Sequence, residues 1–342
     1  MKPQAGISRK NLAGVLSRKT PAPLVGAEAT AYLERRLAFP MAVLNRYPKY
    51  FLIETVNTCN ARCIMCGIDF DKKTTANMDE ALFKRIVDDI GAHSDHVEKV
   101  MLYLDGEPLL DKRLAKRVRR MKDAGVRTVN IATNASLLDE ARSTALIKAG
   151  LDEIYFALDS MKKDVYEAIR VRLSFDQVYE NIRAFIRTRD RLNPKLMIRL
   201  QMILQDLNRD EEADFRSHWS TLLGPRDQIV VQKVHNWASA VDVMRFGDED
   251  DVNGTPCIAL WGTCVIHVNG DVPLCCMDTR TRHRLGNAGE QSIAEIWRGK
   301  VMREMKEKHV GGRRAEISLC DGCTLWREEK HVADIDERDR AP

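Results

Sequence analysis

Short apolar runs recur between residue 51 and about residue 236: "YFLIETV", "VEKVMLYL", "VRTVNIAT", "DEIYFAL", "KLMIRLQMIL" and "QIVVQKVHNW". Their length and their β-branched and aromatic content predict strands buried in a parallel sheet. Amphipathic stretches separate them. Asn77 and Glu80 stand at capping-box spacing ahead of a helix that would bury Leu82, Ile86 and Ile90. A second helix is expected from Asp111, with Leu114, Val118 and Met121 inward and Gly125 as its stop. A third opens at Ser174, with Gln177 at the matching position and Val178, Ile182 and Phe185 buried.

Strands alternating with helices make an α/β fold with right-handed crossovers. The runs are too few to close an eight-fold barrel, so the pattern predicts a partial (β/α)6 TIM-like barrel. A flat doubly wound sheet is the competing topology. Either one gathers its chemistry at the carboxyl ends of the strands.

Alternation puts Met101, Tyr103, Asp105 and Glu107 on one face of the second run, and Tyr155, Ala157 and Asp159 on one face of the fourth. Polar side chains on a buried strand must line something wet or bound. Arg199 and Gln201 share a face of the fifth run, and Lys233 shares one with His235 on the sixth. Those four could bind a carboxylate, a phosphate or sugar hydroxyls. Trp237 could stack on a sugar ring, whereas His93 and His96 read as a solvated helix end.

Past residue 240 the character changes. "FGDEDDVNGTPC" reads as a linker, and the remainder carries six cysteines, a hairpin-like "CVIHVNGDVPLCC" with an Asn269-Gly270 turn, and one helix near 291 to 308. The expected organisation is a basic N-terminal extension (1–48), the barrel (49–240), a small cluster-stapled domain (241–328) and a charged tail (329–342).

Composition narrows the function. A hydrophobic content of 44% supports a sizeable core, and a net charge of +4 is too even to imply nucleic acid. No run is long enough to span a membrane, and the first twenty residues lack the apolar core of a secretion signal. A cytoplasmic protein is expected. Nine cysteines, an odd and unevenly clustered set, then point to metal rather than disulfides.

Cys59, Cys63 and Cys66 have the spacing C-x3-C-x2-C. Three thiolates can hold three irons of a [4Fe–4S] cubane and leave one iron open to a small molecule. Cys257, Cys275 and the pair Cys320/Cys323 can close a second cluster completely. Zinc remains the alternative at both places on spacing alone. Cys264 and Cys276 are left over, and a spare thiol near a substrate could return a hydrogen atom to its radical.

"NTCNARCIMC" resembles the signature of the radical S-adenosylmethionine (SAM) superfamily, and the likeness continues through "LDGEPLL", "IATNAS" and "FALDS…YEAIR". The C-terminal "NGDVPLCC", "LGNAGEQSIAEIW" and final C-x2-C resemble the twitch form of the SPASM domain, which carries one auxiliary cluster. The resemblance implies SAM bound at the open iron and cleaved to a 5′-deoxyadenosyl radical that abstracts a substrate hydrogen. It assigns cofactor contacts to Asp105, Gly106, Glu107, Asn134 and Arg170, with Asp105 where the family has glycine and Ala157 where it often has serine.

Members similar in layout, such as 2-deoxy-scyllo-inosamine dehydrogenase, imply a sugar, aminocyclitol or sugar-nucleoside substrate in antibiotic biosynthesis. They also imply a flavodoxin- or ferredoxin-type reductant. Dehydrogenation is the expected outcome, with epimerisation or decarboxylation as further fates. A peptide-modifying maturase is the runner-up, and a non-catalytic zinc or iron–sulfur protein ranks last. Cys276, Arg199, Lys233, Tyr103 and Asp159 are the catalytic candidates.

Overall fold

The computed structural model describes residues 23–70, 74–234 and 254–323. Two helices, α1 (Gly26–Leu37) and α2 (Met41–Leu44), precede the sheet. Strand β1 (Tyr50–Ile53) leads through the two-residue β2 (Arg62–Cys63) to α3 (Glu80–Gly91) and β3 (Lys99–Met101). Then follow α4 (Leu114–Asp123), β4 (Thr128–Thr133), α5 (Glu140–Lys148), β5 (Glu153–Ala157) and α6 (Lys163–Ile169). The short β6 (Arg170–Val171), α7 (Phe175–Leu192), β7 (Met197–Leu204), α8 (Glu212–Ser220) and β8 (Gln228–Lys233) complete the repeating part. The C-terminal part contains α9 (Ala259–Gly262), β9 (Thr263–Ile266), β10 (Asp271–Pro273), β11 (Arg284–Asn287), α10 (Ile293–Trp297) and α11 (Lys300–Val310).

All pairings in the main sheet are parallel, in the order β8-β7-β5-β4-β3-β1-β9. From β1 to β8 the order never reverses. A doubly wound sheet has a reversal point, so the one-way winding selects the open barrel over it. Each strand turns one row of apolar residues toward the helices: Val129 and Ile131, Ile154 and Phe156, and Ile198, Leu200 and Met202 are all fully buried. Phe156 meets Phe185 of α7 edge-on, with centroids 5.4 Å apart.

The opposite row is polar and paired across strands, with Asn130 Oδ1 left unpaired. Lys99 Nζ donates to both oxygens of Glu153 at 2.9 Å, and Tyr155 and Asn130 donate to the same carboxylate. Gln201 donates to Gln232 at 2.7 Å. The inner face is thus lined by hydrogen-bonding groups rather than by aliphatic layers.

Several expectations are corrected. "TCVI" of β9 does not stay within a separate hairpin but pairs with β1 as a seventh strand, Phe51 opposite Cys264. The Asn269-Gly270 turn is present, with Gly270 at φ +86°. The strand after it pairs with β11 instead. Helix α3 is capped by Asp79, whose carboxylate accepts from Ala81 and Leu82 N–H, because Asn77 is held extended by a bridge to Val56. Leu82 is half-buried and Phe83 takes the inward place. Ser174 caps α7 without a side-chain hydrogen bond, and Gln177 donates instead to the Ser136 carbonyl.

His93 stacks on Tyr47 at 4.0 Å and His96 faces the Tyr47 carbonyl, so both serve the α3 end. Among the described residues no helix is long and apolar enough to cross a membrane. His235 and Trp237 lie outside the described residues, as does most of the expected linker.

Candidate active site

The first cysteine group sits on the loop that leaves β1. Asn57 fastens that loop to the next segment: its side chain donates to the Thr74 carbonyl and accepts from Ala76 N–H at 2.7 Å. Cys59, Cys63 and Cys66 are each partly buried. Burial pushes the Cys59 thiol up to about 11, and Glu107, Cys63 and Cys66 add to it. Burial likewise raises Cys66, with Cys63 and Asp105 adding and Arg170 opposing. Cys59 and Cys66 both feel Cys63, and a cationic metal core would relieve the cost of charging these two thiols.

Gly106 and Glu107 close over this loop. Glu107 N–H donates to the Thr58 carbonyl at 2.8 Å. A Cβ on Gly106 would stand 2.3 Å from the Val56 carbonyl oxygen and 2.8 Å from that of Thr58. Both are backbone atoms, so neither can swing away. Gly106→Ala is expected to cost about 3 kcal/mol or more of stability and to lower iron uptake by the first cysteine group. Gly224→Ala, where the nearest atom is 3.5 Å away, is the neutral control; denaturant midpoints and iron content read both.

The Glu107 carboxylate turns toward β4. It accepts from Thr133 Oγ1 at 2.6 Å, Asn134 N–H at 2.8 Å and Leu109 N–H at 3.1 Å. Burial raises its pKa against those three donors. Asn134 then donates to Asn60 Oδ1 at 2.9 Å, and Ser136 donates to Asn134 Oδ1 while accepting from Asn60. This network ties the end of β4 to the cysteine loop. A buried carboxylate whose charge is disfavoured suits a cationic amino group, so these residues fit the methionine end of SAM.

Asp105 does not share that direction. The strand stops at Met101, so two-residue alternation no longer governs positions 103 to 107. Asp105 turns the other way, toward Glu54 and His267. That is a correction to the shared face expected for Asp105 and Glu107. The sequence does carry a signal for the two residues it meets: Glu54 and His267 each interrupt an apolar run.

Arg170 comes to the cysteine loop through the β2–β6 pair, where Cys63 faces Arg170. Its Nη1 lies 3.4 Å from Cys63 Sγ and its Nε donates to Asp159 at 2.6 Å. Burial works against the guanidinium charge, but Asp159 and Cys63 outweigh it and hold the group protonated. The other Asp159 oxygen accepts from Ile203 N–H. Asp159 is therefore an anchor for Arg170, not an open catalytic carboxylate.

Arg199 is also engaged. It donates twice to Gln228 Oε1 and lies 4.2 Å over the Tyr155 ring, in the floor of the inner face. Tyr103 is half-buried with its hydroxyl 3.7 Å from Met101 sulfur, and desolvation raises its pKa. Lys233 is exposed at the end of β8. The structure sets Tyr103 within electrostatic reach of Arg199.

The second cysteine group is assembled from three segments. Arg314 donates to the carbonyls of Thr255 and Cys320, and His309 Nδ1 accepts from Cys257 N–H at 3.2 Å. Burial, with Arg314 adding, lowers the His309 pKa to about 3, so the ring is neutral and able to accept. Burial raises Cys257, Cys275 and Cys320, and Cys275 is raised further by Cys276, Cys320, Cys257 and Cys323. Cys276 is pushed up to about 12 by burial, then by Cys257, Cys323 and Asp105. Both adjacent thiols thus belong to the group. Cys264 is buried in the core on β9.

Among the described residues, the group of metal-ligating side chains whose ligand atoms all lie within 4.8 Å of one another is Glu54, Asp105 and His267. The thiols of both cysteine groups are spread wider. Thiolates on one zinc ion at about 2.3 Å would sit roughly 3.8 Å apart. The wider spread fits multi-iron cores.

Comparison with known proteins agrees. Residues 53–193 match the family described as the Radical SAM superfamily, and residues 257–324 match SPASM, an iron–sulfur cluster-binding domain. A GTP 3′,8-cyclase of Chlorobaculum tepidum is 28% identical over 54% of this chain and 54% of its own length. The tungsten-containing aldehyde ferredoxin oxidoreductase cofactor-modifying protein of Pyrococcus furiosus is 34% identical over 32% of this chain and 31% of its own. The chain thus spans about half or less of these relatives.

Among solved structures, BtrN in complex with AdoMet and 2-DOIA superposes with a TM-score of 0.57 at 20% identity, over 81% of this chain and 93% of that one. Streptococcus suis SuiB bound to the precursor peptide SuiA gives 0.60 at 14%, over 87% and 73%. At those identities the likeness is one of fold.

Proposed function

We infer that this chain, which carries a radical SAM domain followed by a SPASM-type iron–sulfur domain, is an enzyme that oxidises a carbohydrate-like small molecule. The substrate is a sugar, an aminocyclitol or a sugar-nucleoside. The observation that carries this reading is Asp105, which interacts electrostatically with Cys66 of the first cysteine group and Cys276 of the second. A side chain acting on both groups supports a proposal in which a substrate held beside it lies within reach of both clusters. Bound there, the clusters and SAM would supply reductive cleavage of the sulfonium and a hydrogen-abstracting 5′-deoxyadenosyl radical.

Each residue then has a task. Cys59, Cys63 and Cys66 hold the first cluster, and Cys257, Cys320 and Cys323 hold the second with Cys275 or Cys276. Glu107 accepts from the amino group of SAM, and Arg170, fixed by Asp159, offers its guanidinium on the cysteine side of the site. Gln201, Gln232 and Tyr103 line the inner face with amides and a hydroxyl, which suits a substrate rich in hydroxyls. The relatives named GTP 3′,8-cyclases are named for a nucleotide, within the range of the sugar-nucleoside part of this proposal.

The test follows 5′-deoxyadenosine and product mass for the reduced, iron-loaded protein with SAM. The panel holds aminocyclitols, sugar nucleosides and peptides. A product lighter by one hydrogen molecule is expected from the first two classes. Turnover of peptides alone would overturn the substrate class, and a reduced, loaded protein that never cleaves SAM would overturn the enzyme itself.

A further inference from the structure

We propose that Glu54, Asp105 and His267 form a binding site for one divalent transition-metal cation, with a donor set distinct from both cysteine groups. The three residues follow adjacent parallel strands: Glu54 directly after β1, Asp105 in the loop after β3, and His267 directly after β9. Neighbouring strands that run the same way deliver their donors to one end of the sheet. Here the three ligand atoms lie within 4.8 Å of one another and all three residues are buried.

The distance within the Glu54–His267 pair is compatible with two ligands sharing an ion. His267 Nδ1 and Glu54 Oε2 are 3.3 Å apart. That is longer than the usual N–H···O separation of about 2.9 Å. It equals the edge between two N/O ligands held at roughly 2.0–2.1 Å by a tetrahedral metal, about 3.3 Å.

The surroundings are also those of a metal ligand. The other ring nitrogen of His267 faces the Asp278 carbonyl at 3.3 Å, the backbone partner that metal-bound histidines commonly keep. Asp278 is itself fixed, its carboxylate accepting from Arg282 and His283 N–H at 2.8 Å. Val268 N–H donates to Glu54 Oε2 at 3.0 Å and orients that carboxylate.

The donor set decides the kind of ion. Two carboxylate oxygens and one imidazole nitrogen suit Mn2+, Fe2+ or Zn2+ rather than a soft, thiol-selective ion such as Cu+. Three protein ligands also leave coordination positions open. The site accounts for Asp105, which stands where the resembling motif has glycine: its side chain supplies the ligand that completes the trio. This inference is independent of the proposed reaction.

The experiment uses the full chain with both clusters loaded and oxidised, washed with chelator and titrated with Mn2+ under EPR. One Mn2+ per chain is expected, displaced by Zn2+, with a 14N coupling from an imidazole in the pulsed spectrum. His267→Gln and Asp105→Asn should each weaken binding about ten-fold or more while keeping the wild-type iron content. If a variant loses iron, the nitrogen coupling of the wild type decides alone. Absence of Mn2+ binding, or bound Mn2+ without that coupling, would leave only a hydrogen-bonded Glu54–His267 pair and would sink the proposal. Failure here leaves SAM cleavage untouched, so the two readings are separable.

Discussion

Replacing Cys59, Cys63 and Cys66 together with alanine will halve the iron of the reconstituted protein, from roughly eight atoms per chain to about four, and will abolish 5′-deoxyadenosine formation. The two cysteine groups stand on different elements. The first occupies the loop after β1, held by Asn57 and by Thr58 against Glu107. The second is framed by Arg314 and His309. None of these supports passes through the sulfur atoms of the first group, so its loss leaves the second intact.

Alanine is also a mild replacement here. Burial favours the neutral form of the Cys59 and Cys66 thiols, so alanine removes only weak sulfur contacts, among them those from Ala61 N–H to Cys59 and from Arg170 to Cys63. Iron assay, absorbance and SAM cleavage measure the outcome. A triple variant that lost all iron would show the two sites to be one cooperative unit. A variant that kept all of it would remove these cysteines from the metal site.

Much of this was legible in the residues, and the reasons differ by element. The barrel strands announced themselves because each is a short run rich in β-branched and aromatic residues, with one fully apolar row, set between helix patterns. The cysteine spacing was informative because thiols so close together in one loop have few other uses. β9 was misplaced because its partner β1 lies more than 200 residues earlier. Local turn chemistry at Asn269-Gly270 argued for a hairpin, and nothing local reports on a distant partner.

The polar inner face could be seen, but its internal pairing could not. Arg199 looked free to bind a substrate carboxylate because Gln228, its partner on the next strand, is 29 residues away. Asp105 and Glu107 looked alike because alternation was carried past the point where the strand ends. Glu54 and His267 each stand out as a polar break in an apolar run, but their meeting with Asp105 was hidden for the same reason as β9, since the trio exists only once that strand joins the sheet.

Glu107→Gln will leave iron content unchanged and weaken SAM binding by roughly ten- to a hundred-fold, the equivalent of losing one charge-assisted hydrogen bond of about 1.5–3 kcal/mol. The carboxylate has donors on both oxygens: Thr133 and Leu109 on one, Asn134 on the other. An amide can accept on one side only. Its NH2 must then face a donor, which leaves a buried N–H or O–H unpaired at a cost of about 1–3 kcal/mol. The end of β4 loosens, and the network from Asn134 to Asn60 loosens with it.

The pH dependence separates this charge effect from simple loosening. Burial raises the Glu107 carboxyl above the ordinary carboxylate range. Its anionic form is present above that raised value and is lost as pH falls through it. Wild-type affinity for SAM should therefore decline on acidification, whereas the glutamine variant, having no group to titrate there, should stay flat. Equilibrium dialysis of SAM against the loaded, oxidised protein across the acid range measures both. Parallel slopes for the two proteins would mean that another group governs SAM binding and that Glu107 only holds the backbone of β4 in place.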